Sequence, residues 1–348
     1  MKEKNNFGLI RLIGLCIVVI VLMVAPPLVL YKQKSNSITG EELWGESSEY
    51  QGVLEVWNID TFSGAYMPKS DFLNEVARRF ECRNKGVFVC IKNMKVEEFG
   101  LALKEGRLPS VVSFGWGIGN LVLEQLETLT GFENVNEKIL ESGKKNGELK
   151  AVGYIMSMYG LFSSTEKIGK LNEDSTLSQV MFSSGKDIAK KKGSKHIYSL
   201  NYGKSNYVHP ENVFLENGKD YLISENEYTA YNDFINFNYA NILLGSMRDM
   251  VRLENKINKG DMSDIIVQPM TKYNDLIQYV GLIKTNSKTI KNCAELFIKN
   301  LLSEAVQKEI CKTGLFSTTG EILYKDNERF SAFENHITKL QNIPNVFL

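Results

Sequence analysis

Residues 53–119 read VLEVWNIDTFSGAYMPKSDFLNEVARRFECRNKGVFVCIKNMKVEEFGLALKEGRLPSVVSFGWGIG, and this stretch decides the fold. Residues 53–57 (VLEVW) read as a strand that ends in a polar and aromatic loop, 58–68. Phe72, Leu73, Val76, Ala77 and Phe80 then fall at i, i+1, i+4, i+5 and i+8, one face of a helix. Gly86 closes that helix or its turn, and residues 87–91 form a short apolar strand. A second helical stretch, 96–104, stops around Gly106 and Pro109. Residues 111–114 are a third apolar strand, followed by Gly115, Trp116, Gly117, Ile118 and Gly119. Strands alternating with helices in this order imply right-handed crossovers and a largely parallel sheet.

Downstream, residues 151–162 are apolar, aromatic and extended. Residues 228–239 have a helical pattern, 240–245 read as a strand, and 248–258 as a polar-faced helix. Residues 265–267 and 279–283 read as strands. The clearest helix begins at Ser287, a side chain suited to an N-cap. Its stripe is Ile290, Cys293, Ala294, Phe297, Ile298, Leu301 and Leu302. Ser303 can cap the next helix and Gly314 is placed to end it. The lysine-rich run 186–195 reads as a solvated surface.

Upstream, residues 12–30 (LIGLCIVVIVLMVAPPLVL) are uncharged and almost wholly apolar. Such a run at about 1.5 Å per residue spans the roughly 30 Å hydrocarbon core of a bilayer. Lys2, Lys4 and Arg11 precede it, which places the N-terminus in the cytoplasm and the rest outside. A cleaved signal needs small residues before the cut, and Ala25 is followed by Pro26 and Pro27. A lipoprotein needs a small residue before its cysteine, and Cys16 follows Leu15. The expectation is one uncleaved transmembrane helix within residues 1–31, then a polar tether, 32–51, and a folded domain outside the cell membrane.

Composition narrows the function. Of 348 residues, 43% are apolar and 24% charged, which excludes wholesale disorder. Lysine plus arginine equals aspartate plus glutamate, 41 against 41, which argues against a nucleic-acid binder. Beyond the apolar run the cysteines are Cys82, Cys90, Cys293 and Cys311, with no C-x-x-C spacing to suggest a metal or redox site. The alternatives are three disulfide pairings, among them a local Cys82–Cys90 bridge, or four buried, reduced and inert thiols. The three histidines, His196, His209 and His336, sit in no ligand spacing and read as ordinary polar residues. There is no nucleophile elbow and no P-loop. Asn120 stands where a dinucleotide fingerprint would need its third glycine. Carboxylates are plentiful, Glu97 with Glu98 and Glu225 with Glu227 for instance, but nothing in the sequence makes a pair converge. The reading is a binding protein rather than an enzyme, without metal or cofactor.

Five segments resemble a known family. They are 54–64 (LEVWNIDTFSG), 71–91 (DFLNEVARRFECRNKGVFVCI), 108–117 (LPSVVSFGWG), 239–256 (YANILLGSMRDMVRLENK) and 279–317 (YVGLIKTNSKTIKNCAELFIKNLLSEAVQKEICKTGLFS). In order and spacing they are similar to the extracellular solute-binding proteins of bacterial ABC importers, the family-1, sugar-type branch. Asn84-Lys85-Gly86 stands where Asn-Pro-Gly is common, and Ser110 where Asp is frequent. Residues 163–225 show no clear match.

The resemblance implies an α/β, two-lobed, periplasmic-binding-protein-like fold of type II. Lobe one would comprise 52–155 plus 281–317, and lobe two 156–280 plus 318–348. The chain would cross between them near 154–162 and again near 279–284. A monomeric folded domain would close on a small polar solute, a sugar, and pass it to an ABC permease. A surface sensor or interaction protein on the same fold, and an extracellular hydrolase, are the alternatives. Sugars offer apolar faces to aromatic rings and hydroxyls to planar polar groups. The expected ligand-binding residues are therefore Trp57, Asn58, Trp116, Tyr154, Tyr159, Arg248, Asp249 and Phe316.

Overall fold

The computed structural model describes residues 48–164, 177, 200–214, 222–236 and 241–348. The expected transmembrane helix at 12–30, most of the tether and the lysine-rich run lie outside these residues. Among the described residues, no helix is long and apolar enough to cross a membrane.

Two sheets organise the described chain. The first is built from β1 (Gly52–Ile59), β2 (Val87–Asn93), β3 (Val111–Gly115), β4 (Val152–Met156), β10 (Ile277–Leu282) and β11 (Phe316–Ser317), in the order β11-β4-β10-β3-β1-β2. The second is built from β5 (Gly160–Ser164), β6 (Leu200–Gly203), β7 (Leu222–Ser224), β8 (Ile242–Gly245) and β9 (Ile265–Pro269), in the order β9-β5-β8-β6-β7. Each sheet is the centre of one lobe. β1 pairs parallel with β2 and β3, as alternating strands and helices predict. β10 runs antiparallel to both β3 and β4, so the first sheet is mixed rather than largely parallel. The reason is that β10 comes back from the second lobe and enters from the opposite end.

Helix α1 (Lys69–Arg83) buries Phe72, Leu73, Val76, Ala77 and Phe80, the predicted stripe. Helix α2 (Val96–Lys104) buries Phe99 and Ala102. Short helix α3 (Glu137–Ser142) follows. In the second lobe, α4 (Glu227–Asn236) and α5 (Met247–Asn258) each follow a strand end. Helix α6 (Lys288–Leu301) starts where the Ser287 hydroxyl accepts from the Ile290 amide at 3.4 Å. Phe297 of α6 meets Phe80 of α1 edge-on, centroids 5.3 Å apart, and this joins the two longest stripes of lobe one. Helix α7 (Glu328–Glu334) packs against β9.

Two boundaries differ from expectation. The return crossing lies at 270–276, not 279–284, because Gln278 and Tyr279 already belong to β10 with their side chains buried in lobe one. The tail is divided between the lobes rather than belonging to lobe two. Its α7 serves lobe two, but Val346 donates to the Ser142 carbonyl at 2.9 Å and Phe347 packs on Phe114 of lobe one. Cys82 and Cys90 are exposed and Cys293 is buried; all four described cysteines are free thiols. Strand β2 is a sheet edge with Phe88 64% exposed, and the Val89 amide on that edge donates to Glu81 Oε1 of α1 at 2.6 Å.

Candidate functional site

The two lobes meet along a seam formed by strand ends. In lobe one, β1 delivers Asn58 and then the 60–68 loop. Asn58 Nδ2 donates to Asp60 Oδ1 at 3.2 Å and to Asn93 Oδ1 at 3.0 Å. Its Oδ1 accepts from Ser113 Oγ at 2.9 Å, and Ser113 Oγ lies 3.1 Å from the Tyr154 hydroxyl. Gln278 Nε2 donates to Ser113 Oγ and to the Ile59 carbonyl, both at 3.0 Å. Asn58, Ser113, Tyr154 and Gln278 are all buried. Burial pushes the Tyr154 hydroxyl far above its usual range, so it stays protonated as a donor. This network stiffens the strand ends behind the seam.

Lys69 extends it toward lobe two. It opens α1 and is fully buried. Its ammonium donates to the Phe62 carbonyl, lies 3.5 Å over the Phe62 ring and 3.4 Å from Asp60 Oδ1. Burial pulls its pKa down to about 8, and the fields of Asp60 and then Glu227 oppose that fall. Beside it, Thr61 Oγ1 is buried without a hydrogen-bond partner among the described residues. A Cβ at Gly115 would collide with that hydroxyl, so glycine is what lets it sit there.

Trp116 follows β3 and faces lobe two. Its ring meets His209 edge-on at 4.9 Å, and its Nε1–H has no partner among the described residues. On lobe two, β6 and β8 end in Gly203 and Gly245, where α4 and α5 begin close behind. Arg248 reaches across to donate to Ser63 Oγ at 3.0 Å. Asp249 is buried and completes a capping box, accepting from the Ser246 amide at 3.0 Å and from Arg252 at 3.3 Å. Burial raises the carboxyl pKa of Asp249; it also raises that of Glu227, where the Asp249 charge adds to the effect. Tyr159, Glu227, Ser246 and Asp249 line a cavity of about 20 Å³, room for a water or two. Tyr207 also bridges the lobes, donating to Glu97 Oε1 at 3.4 Å.

Both crossings are clamped by one carboxylate. Asp275 Oδ1 accepts from the Tyr159 hydroxyl at 2.7 Å. Its Oδ2 accepts from the Tyr273 hydroxyl at 2.9 Å and the His209 amide at 2.7 Å. Asp275 is buried, and that burial raises its pKa.

Of the expected ligand-binding residues, Trp116 and Arg248 lie on the seam. Asn58 and Tyr154 lie in the network behind it, Tyr159 at the first crossing between the lobes, and Asp249 in the helix cap. Two are placed elsewhere. Trp57 is 2% exposed on the face of β1 opposite Asn58, edge-on to Phe99 of α2 at 6.1 Å; successive strand residues point to opposite faces. Phe316 is fully buried among Tyr324, Phe330 and Phe333, with centroids 5.5–6.5 Å away. Sequence reading missed Lys69, Thr61 and Asp275, and named Glu227 only as half of a carboxylate pair with no reason to converge. Lys69 left one signal, a cation in the first turn of a helix, where the dipole disfavours it. His209 is not an isolated polar residue, since its ring meets Trp116.

No family model matches the sequence, and no curated protein does. Solved structures match the fold. Maltose-bound MalE3 of T. maritima superposes with a TM-score of 0.60 at 17% identity, covering 84% of this chain and 90% of that one. The GacH receptor of Streptomyces glaucescens, solved unliganded and with acarbose, gives 0.56 at 17% identity, covering 84% and 85%. Iron-bound HitA of Pseudomonas aeruginosa gives 0.54 at 14% identity, covering 81% and 92%. The chain therefore has the two-lobed, periplasmic-binding-protein-like α/β fold, a frame that holds sugars in some proteins and iron in another.

Proposed function

We propose that this chain is an extracytoplasmic solute-binding protein that captures a carbohydrate between its lobes for an ABC importer, held at the membrane by residues 12–30. The observation that carries the reading is the seam at Trp116. A buried indole N–H and the Thr61 hydroxyl have no hydrogen-bond partner among the described residues, and Arg248 reaches from the other lobe to Ser63 on the same loop as Thr61. An unpaired buried donor is costly, and a sugar hydroxyl satisfies it. The ring face serves the apolar side of the sugar, and the guanidinium gives planar hydrogen bonds. Sugar-bound MalE3 and the acarbose-binding GacH receptor on the same fold support this choice of solute. Lobe closure by hinge motion at 157–159 and 270–276 supplies the capture step.

The test is a thermal-shift screen of the full chain in detergent against mono- and oligosaccharides, amino acids and peptides. A solute at a hundredfold excess over Kd stabilises the fold by about 2.7 kcal/mol. A shift with one sugar class is the expected result. A shift with amino acids or peptides alone, or with nothing, overturns the sugar reading. Alkaline extraction of membranes tests the anchor, which predicts retention in the pellet.

A further inference from the structure

A second cavity lies at the far end of helix α5 from the seam. It is a groove open to solvent, with a volume of about 720 Å³. Arg248, at the start of α5, touches the seam, whereas Glu254 and Asn258 line this cavity. At 1.5 Å per residue, Asn258 stands about 15 Å along the helix from Arg248. One wall is Tyr66, carried by the 60–68 loop of lobe one; the rest comes from α5, β9 and the start of α7.

The walls are set in place. The Tyr66 ring stacks on Phe330, centroids 5.7 Å apart and planes 15° apart, and remains 53% exposed. Burial and then the neighbouring Glu254 carboxylate raise the pKa of its hydroxyl. Glu254 Oε1 accepts from Asn327 Nδ2 at 3.4 Å and lies 3.6 Å from Arg329 Nη1. Arg329 Nη2 donates to Asp264 Oδ1 at 2.6 Å. With those groups committed, the side chains of Asn258, Asp326 and Glu328 have no hydrogen-bond or ion-pair partner among the described residues.

The lining selects a chemistry. A ring with one face packed and the other open is a platform for a flat or hydroxylated ring. Amides and carboxylates around it accept and donate in the plane of ring hydroxyls. Four carboxylates (Glu254, Asp264, Asp326 and Glu328) face one guanidinium, which repels phosphates and uronates and attracts an amine. We infer that this cavity is a second binding site, spanning the lobes, for a hydroxylated ring bearing a protonated amine, such as an amino sugar. Because Tyr66 belongs to one lobe and the carboxylates to the other, an occupant favours the arrangement that brings them together. It therefore raises affinity at the seam by linkage.

The experiment is NMR of the full chain, with the side-chain amides of Asn258 and Asn327 and the Trp116 indole N–H as reporters. The probes are a glucosamine trisaccharide, maltotriose and a galacturonic-acid trisaccharide. The expected result is saturable movement of both amides with the glucosamine probe, weaker movement with maltotriose and none with the galacturonate. Tyr66→Ala and Asp326→Asn each weaken the glucosamine response about tenfold. Amides that stay still with glucosamine and maltotriose, an equal response to galacturonate, or a Tyr66→Ala variant that binds as before overturns the inference. Movement of the Trp116 signal is read separately, so failure at the seam and failure at this cavity are distinct outcomes.

Discussion

Lys69 shows how a single side chain can be at odds with the fold that holds it. Its pKa is about 8 in the folded chain, against about 10.4 for a lysine in water. Below pH 8 both states are protonated and the full penalty stands, roughly 3 kcal/mol. Between the two values the unfolded chain binds more protons, so this contribution makes stability rise with pH. Lys69→Met keeps the volume and removes the charge. It should flatten the slope between pH 8 and 10 and raise stability at pH 7 by about 1–3 kcal/mol in urea unfolding. A less stable variant with the slope intact would show that the ion pair with Asp60 outweighs burial. Trp57 and Trp116 make the complementary case. Trp57→Ala should cost about 3–5 kcal/mol, as large core truncations do, and should affect affinity only through folding. Trp116→Ala should leave the urea midpoint nearly unchanged and weaken solute binding at least tenfold, measured by calorimetry. Both indoles follow an apolar run in the sequence, which is why both read as cleft residues. Whether a strand-end residue faces solvent, a helix or the other lobe is a matter of register, and one position separates buried Trp57 from network-forming Asn58.

Elements were far more legible than the faces they present. The stripes of α1 and α6 appear in the chain at the observed positions, because a continuous apolar period leaves little choice of partner surface. β10 was legible as a strand but not as the strand that re-enters lobe one, since an apolar run carries no record of its sheet. Gly314 was readable as a stop, and the structure gives it a second duty. It ends the 3-10 turn Lys308–Thr313 at φ 71°, and a Cβ there would stand 2.7 Å from Ala65 Cβ and 2.8 Å from Tyr66 Cδ2. Gly314→Ala should therefore cost about 1–2 kcal/mol for the left-handed backbone and also dislodge the 60–68 loop. Gly314→Asn, which tolerates that backbone, should recover stability but not the Tyr66 stacking on Phe330, read from ring chemical shifts. Full recovery of both would show that the contact with Ala65 and Tyr66 does not hold the loop.

At the scale of the molecule, the two-lobed plan was visible in the order of segments. The clamp that governs it was not, because Asp275, Tyr159 and His209 are far apart in sequence. The folded pKa of Asp275 is raised, so its stabilising share is complete below the ordinary carboxylate range near 4 and is lost as pH rises through the raised value. Asp275→Asn should remove that decline from a thermal-unfolding series between pH 4 and 8. It should also release the His209 amide and the crossings, giving a larger radius of gyration in small-angle scattering. An unchanged radius would separate the carboxylate from lobe closure. The edge of the first sheet bears on how these molecules behave in a crowd. Strand β2 offers an exposed Phe88 and an open row of backbone groups, the kind of border on which a neighbouring chain can template itself. The Glu81 carboxylate occupies the Val89 amide and puts negative charge on that border. Glu81→Val would unblock it, and light scattering at high concentration should then report growing fibrils where the parent stays dispersed. If so, one glutamate is a gatekeeper of colloidal behaviour, allowing dense packing of copies without polymerisation.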